Sequence, residues 1–248
     1  MIANFECHGP KDLRQVIDGS SYSGTAREPS GRRQRRQTFR ATRRFGLIGP
    51  PQVSILGLMS VFAPRYLAGR LLVAMPGIED CRFHRAVIFI CAHDAGHAMG
   101  LMVNRPADDL TVPRLLEQLG IDPGSAGDAA VLVGGPVQPE RGFVLHSDVA
   151  GVSPTRDTIP GGLTLTATRE ILEGLAGRQP RPDHALLAIG YSGWDGGQLE
   201  REIRNNVWLI CEPDEALIFG DDHEGKWVRA LAKLGISPER LSAHLGQA

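Results

Sequence analysis

The chain has 248 residues, 42% of them hydrophobic, and a formal net charge of −1, enough apolar material for one large core or two small ones. Its four cysteines, Cys7, Cys81, Cys91 and Cys211, form no CxxC pair and no cluster with histidine, which argues against a zinc module and a disulfide framework and makes a reducing cytoplasm the simplest setting. The near-neutral total hides two unlike parts: residues 1–59 hold ten Lys+Arg against four Asp+Glu, and residues 60–248 hold seventeen against twenty-four.

Residues 27–44 contain eight arginines and one acid, Glu28, with no apolar period. Such a segment cannot bury enough surface to offset its ordering entropy, so 1–59 is expected to be a disordered basic extension. Three functional readings compete here. A basic arm would bind nucleic acid through counterion release. Arg43-Arg44 ahead of an uncharged stretch suggests an export signal, but glycines and Pro50-Pro51 break that stretch and no A-x-A-like site precedes Arg65. The same breaks weaken a membrane span, and no membrane association is expected. Against all three stands translation starting at Met59, which the abrupt change of composition favours.

From residue 66 the pattern becomes that of a compact domain, expected to run as one unit over 60–248. Residues 69–74 and 86–92 read as buried strands, and 97–104 as a third, joined to the second by the hairpin-type turn Asp94-Ala95-Gly96. Asn104-Arg105-Pro106 closes it. Thr111 is the expected cap of a helix carrying Val112, Leu115, Leu116 and Leu119 and stopped by Gly120. Strands follow at 129–133, 142–146 and 162–166; the last alternates leucine and threonine, which predicts one solvent-facing side. Thr168 caps a helix with Ile171, Leu172 and Leu175. Residues 184–190 form another strand, and Gly196-Gly197 opens a helix through Asn205, with Glu200 and Arg204 spaced for an i,i+4 pair. A strand at 207–211 and helices at 214–219 and 226–234 complete the chain, the last with Trp227, Leu231 and Leu234 as its buried stripe. Irregular interleaving of strands and helices predicts an α+β fold with a mixed sheet.

Few residues carry chemistry. His93 and His97 have the spacing of a zinc-protease pair, but a turn replaces the helix and no glutamate stands between them, so no metal site is expected. Gly190-Tyr191-Ser192-Gly193-Trp194 lacks the final glycine of a nucleophile elbow, which leaves Ser192 as a turn serine. The glycines before the helix at 198 offer an anion site, opposed by Asp195, Glu200 and Glu202; a packing role is favoured. Arg105, Arg141 and His146 either bind a carboxylate, a phosphate or a partner, or pair with Glu79, Asp80 or Asp148. Gly134-Gly135 suits close backbone approach.

Several segments in one order carry a resemblance: 69–80 (GRLLVAMPGIED), 96–106 (GHAMGLMVNRP), 134–137 (GGPV), 141–146 (RGFVLH), 190–203 (GYSGWDGGQLEREI) and 206–209 (NVWL), with Trp227 and Leu234-Gly235. In these the chain resembles the AlgH/YqgE family of bacterial proteins over about three quarters of its length, none of it before Met59. Cys81 replaces a usual proline, Ser192 a common alanine and Gln247 a histidine, which cautions against an essential C-terminal histidine. The resemblance implies a cytosolic α+β protein with a branched mixed sheet, partly closed into a small barrel and flanked by helices. It implies a regulatory role linked to transcription more readily than an activity. A non-enzymatic regulatory or binding protein without a cofactor is therefore expected, contacting a small ligand or protein partner through Asn104, Arg105, Gly134, Gly135, Arg141, His146, Trp194 and Gln198. The alternative is an enzyme on a small anionic or polar substrate, with His146 as acid/base and Arg141 or Arg105 as clamp. Direct DNA binding by residues 60–248 is opposed by their acidic balance.

Overall fold

The computed structural model describes residues 66–149, 158–179 and 181–238. The arginine-rich segment 27–44, the start at Met59 and Gln247 lie outside the described residues. Ten strands join into one branched sheet: β1 (Leu71–Ala74), β2 (Val87–His93), β3 (His97–Met102), β4 (Pro106–Thr111), β5 (Ala130–Val133), β6 (Val137–Ser147), β7 (Thr158–Ile159), β8 (Leu163–Thr166), β9 (Ala185–Asp195) and β10 (Trp208–Cys211). Five helices accompany them: α1 (Val112–Gln118), α2 (Arg169–Leu175), α3 (Gln198–Arg204), α4 (Glu215–Phe219) and α5 (Lys226–Lys233). The order β10-β1-β2-β3-β9-β6-β8-β7 is antiparallel throughout, and β5, which also pairs β4, joins β9 in parallel. The expected α+β class, with a mixed, branched sheet partly closed into a barrel and flanked by helices, is the fold observed: the sheet curls into a half-barrel.

β9 makes the branch. Its first half holds β5 on one edge and β6 on the other, through Ala188 and Ile189. Its second half, Ser192 to Asp195, pairs β3 on the edge that β5 has left. The exchange happens where Gly134-Gly135 crosses Gly190-Tyr191. A Cβ on Gly134 would collide with the carbonyl oxygen of Gly190, and one on Gly135 with the backbone of Tyr191. Gly190 itself sits at φ +66°, open to glycine at little cost. Ser192 lies within β9, fully buried, and its hydroxyl donates to Gly134 O at 3.1 Å. It is a strand residue at the branch, not the turn serine that the neighbouring glycines predicted.

Both faces of the strands are covered, which explains their unbroken apolar runs. Leu71 and Val73 point to a core with Val87, Phe89, Leu101, Phe143, Leu145 and Trp227, while Leu72 and Ala74 face a second with Ile88, Ile90, Trp194, Leu199 and Trp208. A third core sits under α1 and α2. Each fully buried Leu, Ile or Val contributes about 1.5–3 kcal/mol.

Several local expectations change. Thr111 and Thr168 stand at the helix starts, but neither hydroxyl makes a capping bond. β4 was not legible because its Asp108-Asp109 centre is polar and exposed; it is held only at Pro106 and Thr111, across an irregularity where Asp109 adopts φ +52°. In β8 the threonine side is not wet: Thr164 is buried and Thr166 bonds His146. Glu200 does not pair with Arg204; it accepts from His93 Nε2 at 3.1 Å, since Leu67 N–H occupies His93 Nδ1. Leu234 is only partly buried beside Trp227 and Leu231.

Candidate functional site

A groove of about 810 Å³ opens at the end of the sheet where β1 stops and β10 begins. Met75-Pro76-Gly77 ends β1, and Asp80 then caps the short 3-10 turn Cys81–Phe83. The Asp80 carboxylate accepts the backbone N–H of Arg82 at 3.0 Å and its guanidinium at 2.6 Å. Those side-chain bonds from Arg82 hold the Asp80 carboxyl below its usual range. This loop is one wall. Pro136 and Val137 form a second, delivered by the Gly134-Gly135 crossing, and Gly193 and Trp194 of β9, α3 and residues 205–208 form the rest.

The inner wall is a hydrogen-bonded network around Glu202. One carboxylate oxygen accepts both indole N–H groups, Trp194 Nε1 and Trp208 Nε1, each at 2.8 Å. The other accepts Gln198 Nε2 at 2.8 Å, across one turn of α3. Gln198 Oε1 in turn accepts the backbone N–H of Asp195, which fixes the entry to the helix. The two indoles meet edge to face with centroids 6.0 Å apart, and Phe83 packs edge to face on Trp208 at 5.6 Å. Buried indoles need an acceptor, and one carboxylate serves two of them.

The expected site residues separate. Trp194 and Gln198 line the groove. Gly134 and Gly135 shape it from behind through their crossing with β9. Asn104 is a bracket: its Oδ1 accepts Val87 N–H at 2.8 Å and its Nδ2 donates to Arg85 O at 2.9 Å. Arg105 donates to His84 O at 3.1 Å, and Arg141 to Gln138 at 3.4 Å while its guanidinium lies over the Phe143 ring at 5.1 Å. Neither pairs with Glu79, Asp80 or Asp148. His146 is buried and uses both ring nitrogens, Nδ1 with Ser147 O at 2.7 Å and Nε2 with Thr166 Oγ1 at 2.8 Å. Strand alternation sets it on the face of Val144, opposite Phe143 and Arg141. None of these four residues reaches the groove.

The sequence names Glu202 only as a charge opposing an anion and Glu79 only as a possible ion-pair partner, and nothing in it singles out Trp208, Phe83 or Asn205. The one local signal was the i,i+4 spacing of Gln198 and Glu202; Trp208 joins only through the pairing of β10 with β1. Gly196 has the favoured packing role, since a Cβ there would lie 2.8 Å from Ala95 O. Among the described residues no group of three His, Cys, Asp or Glu could hold a metal ion. No helix there is long and apolar enough to cross a membrane.

A second buried polar group lies on the far side of β1. Lys226, the first residue of α5, is fully buried and donates to Val103 O at 2.8 Å and Ile218 O at 2.9 Å. Burial without a carboxylate contact pulls its pKa down to about 8.

Comparison with known proteins agrees with this architecture. Residues 71–239 match the family model DUF179, described as AlgH-like. A UPF0301 protein of Caulobacter vibrioides is 55% identical over 184 residues, covering 74% of this chain and 94% of the relative. One from Bradyrhizobium diazoefficiens is 50% identical over 191 residues, covering 74% and 89%. The solution structure of the AlgH protein from Pseudomonas aeruginosa superposes with a TM-score of 0.59 at 35% identity, over 75% of this chain and 97% of that one. A crystal structure from Corynebacterium diphtheriae, 22% identical with a TM-score of 0.53, shares the fold. With its family model, its relatives and its branched sheet all in agreement, the chain belongs to the AlgH-like family.

Proposed function

We propose that this chain is a non-enzymatic regulatory protein that acts by binding a partner or ligand in the groove between the 75–83 loop, Pro136-Val137 and α3. The observation that carries this reading is convergence. Four of the segments that carry the family resemblance (69–80, 134–137, 190–203 and 206–209) contribute residues to that one groove. Its inner wall is preorganised by the Trp194–Glu202–Trp208 network, which reduces the ordering cost of binding. Volume and mixed apolar and polar lining suit a ligand site.

The alternative, an enzyme using His146 and Arg141, finds its two residues on opposite faces of β6 and the histidine nitrogens already occupied. A regulatory role would then run through a protein or small molecule, since the acidic balance of residues 60–248 opposes DNA. Three free cysteines, Cys81, Cys91 and Cys211, support a cytoplasmic setting. The change of composition supports a folded unit that starts near Met59 and runs as a single domain.

A ligand screen by thermal shift, run in parallel on the wild-type chain and on Asn205→Trp, tests the groove. Asn205 is exposed on its rim, and an indole there fills the space. Compounds that raise the wild-type midpoint should leave the variant's unmoved; equal shifts in both would refute the assignment.

A further inference from the structure

The groove presents three carboxylates, Glu79, Asp80 and Glu202, against one guanidinium, Arg82. That guanidinium is already spent on Asp80. Among the described residues Glu202 is met only by N–H groups of two indoles and an amide, all neutral, and no cation there offsets its charge. Glu79 is exposed and forms no ion pair among the described residues. Phe83, Trp194 and Trp208 line the same groove, with the two indoles buried and the Arg82 guanidinium over the Phe83 ring at 6.0 Å. It is therefore the charge of Glu202 and Glu79 that selects a positively charged group.

A separate observation concerns the sheet edge that runs into the groove. β10 ends the strand order, and no strand covers its outer side among the described residues. Met75 N–H donates to Val207 O, so antiparallel alternation turns Leu209 and Cys211 toward β1 and sends the N–H and C=O groups of Trp208 and Ile210 outward. Ile210 is 39% exposed on this edge. Val207 and Trp208 line the groove; Trp208 itself is buried, so Ile210 is the exposed point of this edge, two residues along β10 from the anionic wall.

We infer that this surface binds an extended segment of a protein partner, which adds as a strand to β10 and lays a lysine or arginine side chain against Glu202 and Glu79. The inference rests on the groove reading and names its occupant. Main-chain pairing at the exposed Ile210 supplies sequence-independent contacts, and the carboxylates select the basic side chain.

The test is an array of randomised hexapeptides probed with the labelled full-length chain. Bound members should be enriched at least fivefold in Lys and Arg over Asp and Glu. Glu202→Gln, which keeps an acceptor oxygen for the indoles, should abolish that bias. Glu79→Gln, at an exposed residue, should lower it at least twofold by itself. Asn205→Trp should weaken binding of all members at least tenfold. Binding that Asn205→Trp blocks but that shows no bias, or an acidic bias, overturns the cationic assignment and leaves the groove standing. Binding untouched by Asn205→Trp overturns the groove itself. Free arginine amide binding as tightly as the best peptide overturns strand addition, and an array with no bound member overturns the inference.

Discussion

The hydroxyl of Ser192 donates to the carbonyl oxygen of Gly134 at 3.1 Å, inside the point where the sheet branches. The same oxygen accepts Met102 N–H at 2.9 Å, so the serine adds a second bond to an acceptor already satisfied. Ser192→Ala should therefore cost only about 0.5–1.5 kcal/mol, read as a small fall in the urea midpoint with unchanged slope. Gly134→Ala at the same crossing should cost about 3 kcal/mol or more, because its Cβ meets backbone that cannot yield. Similar costs for the two variants would contradict the crossing.

Glu202 ties together two indoles that are otherwise buried without an acceptor. Glu202→Leu leaves both N–H groups unsatisfied and should destabilise by about 2–4 kcal/mol. Trp194→Phe removes one donor and leaves the carboxylate with two, so about 1 kcal/mol is expected, apart from the smaller ring volume. Near-ultraviolet circular dichroism should report the loss of the Trp194–Trp208 contact in either variant. Leucine at 202 with no loss of stability would show that the network is not formed.

Lys226 predicts an alkaline gain in stability. Its pKa is about 8 in the folded chain against an ordinary value of 10.5, so between these values the unfolded chain holds more protons. Stability must then rise with pH through that window, by on the order of 3 kcal/mol at most, and stay at its lower level below pH 8. Comparison of urea unfolding at pH 8 and pH 10 checks this. Lys226→Met should remove that part of the rise, whatever it does to the absolute stability; an unchanged pH profile would contradict the burial of the amine.

The thiols should separate by environment. Cys81 is exposed in the groove loop, whereas Cys91 is buried and its pKa is pushed up to about 12 by loss of hydration. Cys211 is buried as well, with its thiol raised by the same cause. In a chain with Cys7 replaced by serine, a disulfide reagent at pH 8 should modify one thiol quickly and two only on unfolding. Fast labelling of two or more in the native state would refute the packing of β2 or β10.

Much of the sheet was legible because its signals are local. The apolar runs of β1, β2 and β9 are continuous where both faces are buried, and the Gly134-Gly135 pair stands where two backbones cross. The candidate site was less legible. Trp194 and Gln198 were picked out beside the glycines that open α3, but their shared partner Glu202 reads in sequence as one more charge on a helix. His146 and Arg141 flank a strand and look poised for chemistry; only the alternation of β6 shows that they point to opposite faces. Lys226 reads as a surface lysine at a helix start, and nothing local reveals that Ile218 of α4 and Val103, just past β3, accept its amine.

The most direct test of the binding reading is a fragment titration followed by backbone amide chemical shifts on the isotopically labelled chain. The account predicts that perturbations from bound fragments cluster in residues 75–83, 136–137 and 193–208, with the indole N–H signals of Trp194 and Trp208 among those that move most. Perturbations centred instead on Asn104, Arg105, Arg141 and His146, with both indole signals still, would contradict it.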